Sequence, residues 1–143
     1  MKNNNIAIVS GGFDPLHVGH IELLNKAREI GSLIVILNND DFLIRKKGKP
    51  FMPFDQRKII LENLQMVDLV IHSLDKDDTV CASLEKLSEL RKEVDAELYF
   101  CNGGDRTSGE NTPEHELCEK LGIKTVYGLG EKIQSSSWLT NEK

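Results

Sequence analysis

Residues 6–20 read IAIVSGGFDPLHVGH, and this stretch decides the fold. Four apolar residues, 6–9, precede Ser10, Gly11 and Gly12, a pattern that predicts a buried strand entering a tight loop. From residue 18 to residue 30 apolar side chains recur at helical spacing, and Gly31 then ends the predicted helix. The stretch therefore predicts a strand, a glycine loop and a helix in succession.

The same alternation of strands and helices continues along the chain. Further strands are predicted at residues 33–37, 67–71, 98–101 and 124–127, and helices at 54–65, 80–92 and 113–121, with a last helical turn at 135–139. Residues 38–41 are predicted as a polar turn and residues 42–53 as a basic loop with at most a short helix. Short apolar strands alternating with helices predict a parallel sheet covered on both faces. We expect one α/β domain, residues 1–143, with a doubly wound five-stranded parallel sheet.

Composition and charge limit the function classes. The 143 residues are 39% hydrophobic and 29% charged, as in an ordinary soluble globular protein, and the net charge is -5. This acidic balance argues against a protein that coats nucleic acid, although it leaves room for a nucleotide site with a local basic cluster. The polar residues 1–5 do not resemble a signal peptide, and no apolar run reaches the length of a membrane span. We expect a cytoplasmic protein that binds neither membrane nor nucleic acid.

The three cysteines, Cys81, Cys101 and Cys118, show no CxxC spacing. An odd count of cysteines fits free thiols in a reducing compartment. Cys101 ends an apolar run, so we expect it to pack as a small hydrophobic residue.

The loop after the first predicted strand carries the groups suited to an anion. In doubly wound folds ligands bind beyond the carboxyl ends of the strands. Gly11 and Gly12 let backbone N–H groups approach phosphate oxygens. His17 and His20 stand three residues apart around a helix start, on one face and beside the positive end of the helix dipole, and Gly19 leaves the space between them open. Two less specific interpretations are solvent-facing histidines and a zinc pair, for which a third ligand at suitable spacing is missing.

The pattern G-x-F-D-x-x-H-x-G-H at residues 11–20 resembles the signature of the cytidylyltransferase-like nucleotidyltransferases. The resemblance covers nearly the whole chain. Residues 40–62 and 67–71 are similar to the middle of glycerol-3-phosphate cytidylyltransferases, Gly103-Gly104-Asp105 stands at their GD-type turn, and Ser135-Ser136-Ser137 at their serine/threonine motif. The resemblance implies a Rossmann-like nucleotidyltransferase fold.

The resemblance also implies a role for each matching residue. His17, His20 and Lys46 would be catalytic: the imidazoles would contact the α- and β-phosphates, and Lys46 the α-phosphate and the incoming phosphate. Ser136 and Ser137 would donate to the β- and γ-phosphates at a helix N-terminus. The predicted nucleotide-binding residues are Gly11, Gly12, Phe13, Asp14, Gly19, Gly104, Asp105, Ser135, Ser136 and Ser137, and the predicted substrate-binding residues are Lys49, Arg57 and Arg106.

Several of these residues have a structural alternative. Asp14 orients its loop or touches the nucleotide, Arg57 binds phosphate or forms an ordinary ion pair on a helix surface, and Lys47 and Lys49 bind substrate or belong to a solvated loop. The polar loop at residues 102–112 contributes Arg106 and its amides to the site or is a surface connection. Trp138 packs the tail or stacks on the base, and His72 and His115 are expected on the surface without a role.

The resemblance implies in-line attack by a substrate phosphate on the α-phosphorus of CTP or ATP, with Mg²⁺ bound to the triphosphate and no dedicated metal cage. Residues 130–135, GEKIQS, depart from the Arg-Thr-Glu-Gly-Ile-Ser of glycerol-3-phosphate enzymes, although Lys132 offers a point charge. Gly11-Gly12 is closer to heptose-phosphate adenylyltransferases, so CTP is favoured only slightly.

Alternatives are an adenylyltransferase acting on a sugar 1-phosphate and a nucleotide-binding sensor without turnover. A dinucleotide-binding reductase is disfavoured because the loop lacks G-x-G-x-x-G. A homodimer is expected, and the acceptor is a small phosphorylated molecule.

Overall fold

The computed structural model describes residues 4–77, 79–103 and 112–129 of the chain. In chain order the elements are β1 (Asn5–Gly11), α1 (Val18–Ile30), β2 (Ser32–Leu37), α2 (Asp40–Lys47), α3 (Phe54–Glu62), β3 (Leu69–His72), α4 (Cys81–Arg91), β4 (Glu97–Gly103), α5 (Pro113–Leu121) and β5 (Lys124–Leu129).

The strands form one five-stranded sheet in the order β3-β2-β1-β4-β5, and every pairing is parallel. The prediction of a doubly wound, five-stranded parallel sheet is confirmed. The chain order reverses at β1, whose neighbours are β2 and β4. The carboxyl end of β1 is therefore the switch point at which such folds bind ligands, and the loop with the two histidines begins there.

The core lies on both faces of the sheet. Ala7 and Val9 of β1 belong to the cluster that α1 covers with Leu24 and Ala27, whereas Ile8 belongs to the opposite cluster. The opposite cluster includes Leu84 and Leu87 of α4 and Cys118 of α5. Both faces of β1 are apolar because helices cover both sides, which explains why the strand reads as a continuous apolar run.

The segment after β2 differs from the prediction. Asp40 and Asp41, predicted in a polar turn, form the first turn of α2, and the predicted basic loop supplies the rest of this eight-residue helix. The Asn39 side chain accepts from the Phe42 N–H at 2.8 Å and caps the helix. The acidic first turn and the basic last turn both complement the helix dipole. The predicted turn was wrong for residues 40–41. The short helix that the prediction allowed within residues 42–53 is present and begins two residues earlier.

The chain turns from α1 into β2 through Gly31, which lies against the backbone of Asn5. A Cβ atom at Gly31 would overlap the Asn5 carbonyl group, so the close approach of α1 to β1 requires glycine. The φ angle of Gly31 is -179°, an extended value that any residue can adopt. Glycine is required at this helix end because the Asn5 backbone leaves no room for a Cβ atom, and not because the backbone is left-handed.

All three cysteines are free thiols. Cys101 and Cys118 are buried, and burial raises the pKa of each thiol to about 12. The expected packing of Cys101 as a small hydrophobic residue is confirmed. Within the described ranges, no helix is both long and apolar enough to cross a membrane.

Candidate active site

The loop between β1 and α1 packs tightly against α2. A Cβ atom at Gly12 would come within 2.9 Å of the Leu43 side chain, so glycine lets α2 approach the loop. Phe13 adopts a left-handed backbone conformation with φ of 50° and is buried. A left-handed phenylalanine is uncommon, and surrounding packing must stabilise it. The loop is thus shaped by contacts as well as by its glycines.

His17 and His20 cap the N-terminus of α1 reciprocally. The Nδ1 atom of His17 accepts from the Gly19 backbone N–H at 3.1 Å, and the Nδ1 atom of His20 accepts from the His17 backbone N–H at 3.2 Å. This is the geometry of a capping box, in which two otherwise unpaired backbone donors are satisfied by two side chains. The histidine spacing therefore builds the helix start as well as the candidate site.

The caps also fix the tautomers of the two rings. A ring nitrogen that accepts a hydrogen bond carries no proton, so in each neutral imidazole the proton lies on Nε2. The rings are stacked, with centroids 3.8 Å apart and planes inclined by 21°. Both imidazoles therefore present an Nε2–H donor.

Burial keeps the imidazoles neutral in the free protein. Desolvation lowers the pKa of His17, and it lowers the pKa of His20 to about 3, with a smaller contribution from the charge of His17. The ring of Phe13 packs edge-on against His20 at a centroid distance of 4.7 Å and contributes to this burial. In the protein without a bound anion, this burial favours the neutral form of both rings.

Asp14 is buried and fully engaged with the protein. Its carboxylate accepts from the backbone N–H groups of Phe51 at 2.5 Å and Met52 at 2.6 Å, and from the Lys47 ammonium at 3.2 Å. Lys47 also donates to the Asp14 carbonyl oxygen at 2.9 Å. These contacts favour the interpretation that Asp14 orients its loop, and a direct contact with the nucleotide stays a prediction.

Arg57 is buried in α3, so its expected place on the helix surface is wrong, but the ion pair of that alternative is present, with Asp40. Its guanidinium donates to the carbonyl oxygens of Met52 (3.0 Å), Gly12 (2.9 Å) and Asn38 (2.8 Å), and to the Asp40 carboxylate (2.6 Å). Four of its five N–H donors are thus used within the protein. This geometry favours a structural role, and the predicted phosphate contact stays a prediction.

The basic residues of α2 differ in their surroundings. Lys46 is exposed, and its ammonium lies 5.7 Å from the centre of the Phe42 ring. Arg45 and Lys47 are exposed as well, but each has a partner: Arg45 donates to the Asp77 carbonyl oxygen at 2.8 Å, and Lys47 pairs with Asp14 at 3.2 Å. Lys49, which follows α2, is exposed. Lys46 therefore lies on a helix docked against the histidine loop, and its contact with phosphates stays a prediction.

His115 is a residue whose environment the sequence did not reveal. Its side chain is only 16% exposed, with Nδ1 2.8 Å from the Tyr127 hydroxyl and Nε2 3.4 Å from the Glu119 carboxylate. The expectation of a surface residue was wrong for His115, which links α5 to β5. His72 is exposed as expected, and its ring stacks on Phe54 at 4.2 Å.

The comparisons with known proteins identify the family to which this chain belongs. The family model described as cytidylyltransferase-like matches residues 8–133, which include this loop, the second half of β1 and the four other strands. The chain belongs to the cytidylyltransferase-like family.

Two curated proteins are similar to this chain over most of its length. The glycerol-3-phosphate cytidylyltransferase of Staphylococcus aureus is 51% identical over 126 residues, which cover 85% of this chain and 86% of that protein. The bifunctional protein HldE of Helicobacter hepaticus is 40% identical over 144 residues, covering 95% of this chain and 28% of that protein. Together with the family model, these relatives make the chain a nucleotidyltransferase.

A solved structure shows the same fold. The lipopolysaccharide core biosynthesis protein from Thermoplasma volcanium superposes with a TM-score of 0.66, covering 88% of this chain and 97% of that chain at 24% identity. At this identity the likeness shows the fold alone.

The remaining site residues that the family resemblance implies lie outside the described residues. They are Gly104, Asp105, Arg106, Ser135, Ser136 and Ser137, and Trp138 and Lys132 lie there too. The described strands nevertheless lead to these segments, since β4 ends at Gly103 and β5 at Leu129. Both carboxyl ends lie at the same edge of the parallel sheet as the histidine loop.

Replacing Arg57 by Met should lower the free energy of unfolding by about 3 kcal/mol or more. The variant leaves the carbonyl oxygens of Gly12 and Asn38 and the Asp40 carboxylate without this donor. Urea unfolding measures the change. Arg28→Met is the matched control, because Arg28 pairs with Asp68 at 3.1 Å with both side chains nearly half exposed, and it should cost less than about 1 kcal/mol. Equal losses in the two variants would contradict the structural role of Arg57.

The ring of His20 should stay neutral in the folded protein from pH 8 down to pH 5. The pKa of His20 is about 3 in the folded protein and has its ordinary value of 6.5 in the unfolded chain. Between these two pH values the unfolded chain therefore binds a proton at His20 that the folded chain does not. The contribution of neutral His20 to the free energy of unfolding is therefore complete above about pH 6.5 and is lost as the pH falls towards 3. Ring C–H chemical shifts in NMR spectra measure the titration, with the protein unfolded in urea as control. A folded-state midpoint near 6.5 for His20 would contradict the burial argument.

Proposed function

We propose that the chain transfers a cytidylyl group from CTP to the phosphate of a small polyol phosphate and releases pyrophosphate. The observation that carries the proposal is the pair of imidazoles, His17 and His20, whose Nδ1 atoms accept from backbone N–H groups at a helix N-terminus, directly after a glycine loop, so that each Nε2 atom faces away from the cap as a donor. The similarity to the Staphylococcus aureus glycerol-3-phosphate cytidylyltransferase over 85% of this chain supports the choice of CTP and a polyol phosphate.

The proposed step needs no general base. An oxygen of the acceptor phosphate, already ionised near neutral pH, attacks the α-phosphorus in line, and a new P–O bond forms. The bond between the α-phosphorus and the bridging oxygen of the β-phosphate breaks, and pyrophosphate leaves with that electron pair. Catalysis then consists of positioning the two phosphates and stabilising the charge on their oxygens.

The two histidines supply oriented donors for this charge. Because their Nδ1 atoms are occupied by backbone N–H groups, rotation of either ring would break the helix cap. The Nε2–H groups are thus preorganised, and no reorganisation is required when negative charge develops on the phosphate oxygens. Lys46, on the helix that packs against this loop, would add the positive charge that the neutral imidazoles lack.

A magnesium ion would be bound through the nucleotide. Within the described residues, no group of three or more His, Cys, Asp and Glu side chains is arranged to hold a metal. The Asp14 carboxylate already accepts from three protein donors. These surroundings fit an ion that takes its oxygens from triphosphate and water. When bound, Mg²⁺ would neutralise part of the negative charge of the triphosphate.

The second candidate is an adenylyl transfer from ATP to a sugar 1-phosphate. It is supported by the similarity to the bifunctional protein HldE over 95% of this chain and by the Gly11-Gly12 pair of the loop. A nucleotide-binding sensor without turnover remains as a third possibility from another class. The expected homodimer and the expected cytoplasmic location likewise stay predictions.

A screen of each nucleoside triphosphate against a panel of small phosphates should give pyrophosphate with CTP and a polyol phosphate such as glycerol 3-phosphate. Pyrophosphate release measures turnover, and the mass of the product identifies both substrates. ATP with a sugar 1-phosphate as the preferred pair would establish the second candidate. Tight triphosphate binding without pyrophosphate from any acceptor would establish the sensor and overturn the proposal.

Replacing His17 or His20 by Ala should lower kcat on the order of 10²–10³-fold, the cost of losing one transition-state donor. His17→Asn separates catalysis from folding, because Asn is a good N-cap residue but has no Nε2–H donor. We expect this variant to melt near the wild-type temperature and to lose activity like His17→Ala. A near-normal kcat in His17→Asn would remove the proposed role of the imidazole.

A further inference from the structure

We propose that Lys47 is a positioning residue, whose ion pair with Asp14 fixes α2 against the histidine loop and so sets the position of Lys46. This inference rests on the proposed function, in which Lys46 contacts the reacting phosphates. Neither Lys47 nor Asp14 need touch a substrate for this role. The two residues act through the backbone that they join.

Asp14 is the fixed point of this arrangement. The residue is only 2% exposed and lies three positions before His17 in the loop. Its Oδ1 atom accepts from the Met52 N–H, and its Oδ2 atom accepts from the Phe51 N–H and from the Lys47 ammonium. The lysine is the one cation among these donors, and a buried carboxylate needs such a partner. Lys47 thus compensates the charge of the loop and ties the end of α2 to it.

The helix α2 is fixed at both ends. Its first residue, Asp40, accepts from the buried guanidinium of Arg57 at 2.6 Å, and its last residue, Lys47, pairs with Asp14 at 3.2 Å. Between them, Arg45 donates to the Asp77 carbonyl oxygen at 2.8 Å. Lys46 is therefore flanked on both sides by residues tied to other parts of the protein, while its own side chain is exposed. The backbone of Lys46 is fixed and its ammonium stays available.

The ammonium of Lys47 is already bound within the protein. Its ammonium donates to both the carbonyl and the carboxylate oxygen of Asp14, and its side chain is 31% exposed. A phosphate would have to compete with a buried carboxylate for this charge. Without the pair, the last turn of α2 loses its connection to the loop, and a displacement of about 1 Å at a catalytic group can cost about 10²-fold in rate.

The test compares Lys47→Gln, Lys46→Gln and the double variant in the 143-residue chain with its best substrate pair. Pyrophosphate release gives kcat and KM for both substrates, and thermal melting checks folding. Lys58→Gln is the matched control: it removes one positive charge from an exposed pair with Glu62 on α3, outside the site. We expect this control to keep the wild-type kcat.

For Lys47→Gln we expect kcat to fall about 10- to 100-fold, with KM for the triphosphate unchanged within about twofold. Lys46→Gln should lower kcat on the order of 10²–10³-fold. If Lys47 acts only through Lys46, the double variant should be no slower than Lys46→Gln. Once the Lys46 ammonium has been removed, displacing residue 46 cannot lower kcat further.

The outcomes separate this inference from the proposed function. Loss of activity in Lys46→Gln with a wild-type kcat in Lys47→Gln would overturn the positioning role and leave the proposed function intact. Multiplying effects in the double variant, or a raised KM alone in Lys47→Gln, would show direct substrate binding by Lys47 and also overturn it. A wild-type kcat in Lys46→Gln would instead contradict the proposed role of Lys46 itself.

Discussion

The buried guanidinium of Arg57 is the constraint on which the geometry of the site depends. It joins the loop after β1 through Gly12, the end of β2 through Asn38, and the start of α2 through Asp40. A charge in the interior is tolerated only when its donors are satisfied, and here four carbonyl and carboxylate oxygens do so. Because those oxygens belong to separate segments, the segments hold fixed relative positions. The histidine loop and the lysine-bearing helix are thereby brought to one edge of the sheet.

Much of the fold could be predicted because its signals are local. Apolar runs bounded by Gly and polar residues mark the strands, and Pro113 and Gly122 bound α5 where the prediction placed it. The helix α2 was harder, because a glycine and two prolines nearby argued for a loop. The decisive signals were the Asn39 cap and the charge order along the helix. Arg57 also carried a signal: with Phe54 and Leu61 it lies at positions i, i+3 and i+7 of α3, on the inner face.

The residue types of the candidate site could be predicted from the sequence, but their tautomers and hydrogen-bond partners could not. The spacing of His17 and His20 indicated two imidazoles at a helix start, and the structure places them there. Which ring nitrogen carries the proton depends on rotamers and on backbone donors, which no spacing reveals. The partners of Asp14 lie 33 to 38 positions further along the chain, so only the folded arrangement shows that this carboxylate is already occupied. Residue type alone left Lys46 and Lys47 equivalent, although their surroundings differ.

The reciprocal histidine cap makes the reactive face and the first turn of α1 a single cooperative unit. Helix ends are the parts of a protein that open most readily, often well below the free energy of global unfolding. When this first turn frays, the Gly19 and His17 amides release the imidazoles, and both rings regain their rotational freedom together. The orientation of the two imidazoles then depends on a local opening equilibrium as well as on the stability of the whole sheet. An otherwise folded population with opened helix starts would lack both oriented imidazole donors.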